Sequence, residues 1–407
     1  MAKKQTHIPP LRFAQFTQPW QEFTFTQILY ERKTYHQKSS QYPLVSFTAE
    51  KGVTAKTQRY DREGLVVGNK AEKIYKVTHA GDIVYNPANL KFGAIALNRY
   101  GTAVFSPIYV TFALLEPEEN SELFFGQYVT RPSFIQHLLQ FEEGTVYERQ
   151  AVKPKVFLAQ KGYAPSYSEQ VKIGQLFNQL DSQLDLIAEQ VTYAKYLKES
   201  ILTQVFTHAS KPRLRFPQFS KSFTSVPLKK ILRKDCPKNK NLEVTYVESI
   251  SNKHGFISQV ELFSDLSLAS KELRNYTVIT PGSFAYNPSR INVGSIAYKE
   301  PGQTPAIVSP LYVCFKVKEE RVNPHYFLYW IKSPYFAAQR QKFSEGSVRE
   351  ILNYKRFSAL EMRLPSLGEQ EKVVTLLQSL DALIYHYEQM LEQAKALKQA
   401  LSQRMFV

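Results

Sequence analysis

The chain of 407 residues contains two cysteines, Cys236 and Cys314, far apart in sequence. Two such thiols make neither a disulfide framework nor a zinc ligand set, and the expectation is a reducing compartment. The opening segment Met1-Ala-Lys-Lys-Gln-Thr-His-Ile-Pro-Pro10 has no apolar run of the kind a secretory signal needs. No stretch elsewhere approaches the length of a membrane span, so the sequence reads as cytoplasmic. Phosphate-loop chemistry is missing too: no Gly-x-x-x-x-Gly-Lys-Ser/Thr occurs. The eight histidines are scattered without metal-ligand spacing, and no metal site is expected. Acidic residues are in deficit, 36 against 52 lysines and arginines, for a formal net charge of +16. That balance favours an anionic partner, nucleic acid before an acidic membrane surface.

What is present is a duplication. Val77-Thr78-His79-Ala80-Gly81-Asp82-Ile83-Val84-Tyr85-Asn86-Pro87 is echoed by Val278-Ile279-Thr280-Pro281-Gly282-Ser283-Phe284-Ala285-Tyr286-Asn287-Pro288. The echo continues through Gly93–Ala96 and Gly294–Ala297, then through Ser106-Pro107-x-Tyr109-Val110 and Ser309-Pro310-x-Tyr312-Val313. A period near 200 residues is too long for a solenoid; each copy is large enough to be a domain. Each copy opens on Leu-Arg-Phe, at Leu11-Arg12-Phe13 and Leu214-Arg215-Phe216, and then gives short β-rich runs between polar loops. In the first copy these runs are 44–48, 64–67, 82–85, 93–97 and 104–115, followed by a helical stretch around Phe124, Tyr128, Phe134 and Leu138. Short strands with one or two helices predict a mixed α/β (α+β) domain of about 150 residues.

Each copy closes on a long helix. Pro165-Ser166-x-x-Glu169-Gln170-x-Lys172 matches Pro365-Ser366-x-x-Glu369-Gln370-x-Lys372. Ser-x-x-Glu before an apolar periodic run predicts a capping box, with the glutamate reaching back to the cap. After the second start, apolar residues alternate by three and four: Val373, Leu376, Leu380, Leu383, Tyr387, Met390, Ala394, Leu397 and Leu401. This is a coiled-coil seam. The first helix offers Ile173, Leu176, Leu180, Ile187, Ala194, Leu197 and Ile201, a less regular stripe with Gln183 and Gln190 inside it. A helix of about 38 residues extends roughly 57 Å and is not stable unpartnered in water. The expected partner is its own repeat, in an antiparallel pair with pseudo-twofold symmetry. The candidate interhelix or partner-docking residues are Ile173, Leu176, Leu180, Ile187, Leu197, Val373, Leu376, Leu380, Leu383, Tyr387 and Leu397. The expected organisation is therefore a first domain over 1–164, a first helix over 165–208, a second domain over 209–364 and a second helix over 365–407.

The helices do not carry the basicity. Residues 169–206 hold three lysines against five acids, and residues 369–406 hold four cations against five, so they are net −2 and −1. The remainder carries +19, and binding to a polyanion should be salt-sensitive. Lys, Arg, Asn and Gln pair with base edges in the major groove, and they crowd the expected loops. In the first copy the candidate contacts are Lys51, Lys56, Arg59, Lys70, Asn86, Asn89 and Lys91. In the second they are Ser251, Asn252, Lys253, His254, Asn287, Arg290, Asn292 and Arg349. Tyr-Asn-Pro recurs while the residues after it change, Ala88-Asn89-Leu90-Lys91 against Ser289-Arg290-Ile291-Asn292. One scaffold carries two reading surfaces. Asn86-Pro87 and Asn287-Pro288 resemble the Asn-Pro-Pro-aromatic tetrapeptide of amino-methyltransferases, but the second proline and the aromatic are missing from both. No catalytic constellation emerges.

The four features together resemble the specificity subunit of type I restriction–modification systems: the opening Leu-Arg-Phe, the Ser-Pro-x-Tyr-Val strand, the Glu-Gly-Ser-Val-Arg turn at 345–349 and the Pro-Ser-x-x-Glu-Gln-x-Lys helix start. They stand in that family's order over nearly the whole chain. The first-copy turn, Glu143-Gly-Thr-Val-Tyr147, lacks the counterpart of Arg349. The resemblance implies two target recognition domains, each reading half of a split DNA sequence, held apart by the helices. It implies assembly with two modification subunits, which methylate adenine with S-adenosylmethionine, and with restriction subunits using ATP and Mg. Those cofactors would belong to the partners and none to this chain, which would itself be non-enzymatic. The competing readings are a self-sufficient DNA methyltransferase or nuclease with degenerate motifs, and a coiled-coil scaffold with no nucleic-acid role.

Overall fold

A computed structural model describes residues 7–56, 73–143, 150–252, 254–258, 272–343 and 351–407. The run expected at 64–67 and both glycine turns, at 144–145 and 346–347, lie outside them. The chain folds into two compact units, Met1–Ala188 with Gln389–Val407, and Glu189–Glu388.

In the first unit, strands β1 (Gln21–Thr24), β2 (Leu29–Glu31), β3 (Tyr35–Gln37), β4 (Val45–Thr48), β5 (Gly52–Ala55), β6 (Ile74–Thr78), β7 (Ile83–Tyr85), β8 (Ile95–Leu97), β9 (Ala103–Phe105), β10 (Val110–Leu114) and β11 (Lys161–Ala164) form four small sheets. The central one has the order β2-β10-β7-β8; beside it lie β3-β6-β9, the hairpin β4-β5 and the pair β1-β11. The short helix α1 (Phe25–Ile28) follows β1; α2 (Glu122–Thr130), α3 (Pro132–Leu139) and α4 (Pro154–Leu158) follow β10. The run expected at 104–115 is thus two strands. Ser106-Pro107 breaks it, because proline has no N–H to give a ladder. The core is strongly aromatic: Trp20, Phe25, Tyr85, Phe112, Phe124, Phe125 and Phe157 are buried together.

The second unit repeats this plan. After the long helix α5 (Tyr167–Val205) come β12 (Thr224–Pro227), β13 (Leu232–Arg233), β14 (Glu248–Ser251), β15 (Gly255–Ser258), β16 (Thr277–Ile279), β17 (Ser283–Tyr286), β18 (Ile296–Tyr298), β19 (Ala306–Val308), β20 (Val313–Val317) and β21 (Glu361–Leu364). The sheets are β13-β20-β17-β18, β16-β19, β14-β15 and β12-β21. Helices α6 (Pro324–Ile331), α7 (Pro334–Phe343) and α8 (Tyr354–Ala359) precede the terminal helix α9 (Leu367–Arg404). The mixed α/β fold with two duplicated domains and two long helices holds as expected.

Each unit takes part of both long helices, and within each they run antiparallel. Asp181 pairs with Lys398 in the first unit, and Lys198 with Asp381 in the second. The buried stripe coincides with the expected one at alternate positions and shifts by one residue at those between. On α9 it runs through 373, 377, 380, 384, 387, 391, 394, 398, 401 and 405, and on α5 through the positions 200 lower. Ile173, Ile187, Val373 and Leu380 are buried in it, while Leu180 and Tyr387 are partly covered. Leu197, Leu383 and Leu397 face solvent, 36%, 39% and 53% exposed, which corrects their place in the seam between the helices. Leu176 and Leu376 are only partly covered. Both helices carry apolar residues on two adjacent rows, and the period alone does not say which row the partner covers.

The helix starts keep only part of a capping box. At the second, the Glu369 N–H donates to Ser366 Oγ at 3.4 Å, but the Glu169 and Glu369 side chains do not return to their caps. Each takes a bidentate arginine from the Leu-Arg-Phe segment of its own unit, Arg12 at 2.7 and 2.7 Å and Arg215 at 2.7 and 2.8 Å. The neighbouring Gln170 and Gln370 are buried and accept from the Ser121 and Asn323 N–H groups at the starts of α2 and α6. The repeated Glu-Gln is a clamp joining three segments. The carboxylates hold both guanidiniums above their ordinary pKa.

Candidate nucleic-acid interface

Strand register gathers the variable turns at one end of the central sheet in each unit. Val110 pairs with Tyr85 and Tyr85 with Ile95, so the turn before β10 and the loop between β7 and β8 leave the sheet side by side. In the second unit Val313, Tyr286 and Ile296 repeat the alignment. The recurring Tyr-Asn-Pro builds this end. Tyr85 and Tyr286 are fully buried and donate to the carbonyls of Val152 and Leu352, 3.0 Å in both cases. The Val152 and Leu352 N–H groups donate in return to the Pro87 and Pro288 carbonyls. Asn86 and Asn287 turn the chain by accepting the N–H two residues on, from Ala88 and Ser289. Asn86 is 8% exposed, so it shapes the turn instead of meeting a ligand, which corrects its place among the contacts. Asn287, half-buried, makes the same turn.

After this turn comes one short 3-10 turn, Leu90–Phe92 or Ile291–Val293. Leu90 and Ile291 anchor it in the core, and Gly93 and Gly294, at φ of 75° and 87°, reverse the chain in the left-handed region that favours glycine. The anchored side chain forces its neighbours outward. Asn89 and Lys91 are exposed in the first unit, Arg290 and Asn292 in the second. Four of the sequence candidates therefore occupy equivalent, outward positions on two matching turns, one in each unit.

A second pair of equivalent tips comes from the hairpins. Lys51 and His254 sit at the turns of β4-β5 and β14-β15, and their N–H groups donate to Thr48 Oγ1 and Ser251 Oγ at 3.1 and 3.3 Å. Gly52 lies so close to Ala96 that a Cβ would stand 2.8 Å from it. The hairpin thereby packs directly on β8, the strand that leaves the 3-10 turn. Asn252 and His254 are exposed, Ser251 and Lys56 half-buried. Arg59, Lys70, Lys253 and Arg349 lie outside the described residues.

Several charges that inflate the basicity face inward. Lys76 pairs with Glu31 at 3.1 Å, Lys299 with Glu248 at 2.6 Å, and Arg32 with both oxygens of Asp82 at 2.9 and 3.0 Å. Sequence reasoning missed the apolar members of the tips: Phe92, Ile108, Val293 and Leu311 are 69%, 60%, 54% and 76% exposed. Their signal was recurrence of an apolar residue inside a loop. Among the described residues no group of three or more His, Cys, Asp or Glu side chains is placed to hold a metal. No helix there is long and apolar enough to cross a membrane.

Comparison with known proteins fits this arrangement. No curated protein sequence matches the chain. A chain solved in work on complex assembly and conformational transition of the type I restriction–modification system is similar at 15% identity, with 95% of this chain and 97% of that chain covered and a TM-score of 0.52. The specificity subunit of a type I restriction–modification system from M. genitalium is similar at 12% identity, covering 98% and 99%, with a TM-score of 0.59. At such identity these show the fold. Residues 228–396 match the model of the type I restriction modification DNA specificity domain. The resemblance read from the repeats thus holds at two levels: the second copy carries a type I DNA specificity domain, and the whole chain has the fold of the type I specificity subunits.

Proposed function

We propose that the protein is the DNA-recognition subunit of a type I restriction–modification complex, each unit reading one half of a bipartite target. The carrying observation is the pair of equivalent 3-10 turns. Both are built by Tyr-Asn-Pro and closed by a left-handed glycine, yet one offers Asn89 and Lys91 and the other Arg290 and Asn292. A shared frame with unlike hydrogen-bonding groups is what two different half-sites require. Arginine suits guanine, asparagine suits adenine, and lysine serves guanine or phosphate.

In this reading the paired helices set the spacer and dock two modification subunits, with restriction subunits joining them. S-adenosylmethionine, ATP and Mg then serve those partners, and this chain is non-catalytic. The test is the methylation pattern of cells expressing Arg290→Ala with the modification subunit. One base position of one half-site should relax, while the other half-site stays intact. An unchanged recognition sequence would overturn the assignment of that turn. Methyl transfer from labelled S-adenosylmethionine by the purified chain alone would overturn the non-catalytic role.

A further inference from the structure

Lysines occupy the buried stripe of both long helices at equivalent positions. Going along α5, the stripe residues Ile187, Val191, Ala194, Ile201 and Val205 are buried and apolar, but position 198 between them is lysine. On α9 the same position, 398, is again lysine. Their side chains are only 19% and 27% exposed. A cation in an apolar seam is destabilising unless an acid meets it, and this is how paired helices select one register over others.

Each lysine has its acid. Lys198 meets Asp381 of the opposite helix, and Lys398 meets Asp181. The two pairs obey one antiparallel register, since 181 to 198 is seventeen residues forward and 398 to 381 seventeen back. Neighbouring registers fail. A slip of one heptad sets Lys198 opposite Glu388 or Val374, but Lys398 then faces Ala188 or Gly174. A slip of four sets Lys398 opposite Asp185 or Phe177, but Lys198 then faces Tyr385 or Leu377. A slip of three offers no acid to either: Ile384 or Gln378 for Lys198, and Leu184 or Asn178 for Lys398. Of these, only the native register satisfies both lysines.

A third group, from the globular part of each unit, joins each pair. Arg99, after β8, donates to Asp181 at 3.0 Å. Tyr329, on α6, donates its hydroxyl to the second oxygen of Asp381 at 2.7 Å, and the Lys198 ammonium lies 5.5 Å from its ring centre. Burial first, then the Asp381 carboxylate, push the Tyr329 phenol far above its ordinary pKa, so it remains a donor. Lys332, whose ammonium is disfavoured by burial and by Lys198, faces the same carboxylate. Each cluster therefore ties a reading unit to both helices at once.

We infer that Asp181–Lys398–Arg99 and Asp381–Lys198–Tyr329 are register locks that determine the spacing the protein accepts between its two half-sites. This rests on the reading above, in which the helix pair sets the spacer. A slip of one turn moves a helix about 5.4 Å along its partner, roughly one and a half base-pair steps of duplex.

The test compares wild type, Asp381→Lys, Lys198→Asp and the exchanged double variant, assembled with the modification subunit. Binding is selected from a DNA library in which the spacer between fixed half-sites varies by single base pairs. Both single variants should lose about tenfold or more of the preference for the native spacer, worth about 1.4 kcal/mol, with unchanged half-sites, and the exchange should restore it. Single variants that keep the native preference overturn the lock, as does an exchange that restores nothing while remaining folded. A second readout needs no DNA: the distance between spin labels at Glu199 and Ala382 should broaden in the singles and sharpen in the exchange. A sharp distance in every variant also overturns the lock. Wild type that shows no spacer preference while its label distance is sharp counts against the ruler reading, with the lock intact.

Discussion

The two units share their backbone plan and their polar clamps but differ in the size of the side chains that fill one corner. Where the Leu-Arg-Phe segment of the second unit meets the helices, a cavity of about 100 Å³ is lined by Val205, Leu214, Arg215, Phe216, Phe223, Glu369, Val373 and Leu376. In the first unit the equivalent positions of Val205, Phe223 and Val373 are Met405, Trp20 and Ile173, each larger and each buried. The ion pair is the same in both. Duplication has thus preserved the polar geometry more faithfully than the packing volume. The reason is physical: a buried carboxylate tolerates no loss of its partner, whereas lost methylenes are tolerated at a graded cost.

The largest effect that would break this comparison comes from the clamp. Glu169→Ala and Glu369→Ala should each destabilise their unit by about 3–5 kcal/mol by leaving a partly buried arginine without its carboxylate. Urea unfolding followed separately in each unit would check this, and a small loss in either would deny the clamp its role. Trp20→Phe comes next. It copies the second unit's shortfall into the first and should cost about 1–3 kcal/mol, while Phe223→Trp or Val373→Ile should recover up to about 1 kcal/mol in the second. Thermal melts of the three variants decide whether packing volume is the difference. Asn292→Ala should weaken binding by about 1–3 kcal/mol at one base of one half-site if its contact is bidentate. A nearby lysine that meets phosphate should instead lower the salt slope by about one on removal.

The smallest effect concerns thiols that only the second unit has. Burial pushes the Cys314 thiol up to about 12 and raises Cys236 as well. Cys236 is the more exposed of the two. Alkylation at pH 8 should therefore be slow at both and reach Cys236 first. Because the fold favours the neutral thiol of Cys314, its contribution is complete below the ordinary value near 9 and is lost as pH rises toward about 12. Cys314→Ala should show a shallower loss of stability over that window.

Much of the fold was legible before the structure because duplication exposes it. Tyr-Asn-Pro, Ser-Pro-x-Tyr-Val and Pro-Ser-x-x-Glu-Gln each occur twice in the same order, and each lies where it does equivalent work in both units. The long helices were legible from period and length. The meaning of single residues inside these motifs was less so. Glu169 and Glu369 have capping-box spacing, yet their partners are arginines more than 150 residues away. Asn86 has the chemistry of a base contact but is consumed by its own turn. Leu383 and Leu397 fit a heptad, while Lys398, which breaks it, is the residue at the seam.

Sequence alone determined that the protein has two copies of one domain, two long helices, and globular parts that carry its positive charge. These follow from repetition, periodicity and counting, which are properties of a one-dimensional chain. The tertiary structure decided which helix row is buried, which acid meets which base, and which loop side chains point outward. Such choices depend on partners distant in the chain, and a charge or an apolar row is stabilised only by what stands opposite it in space.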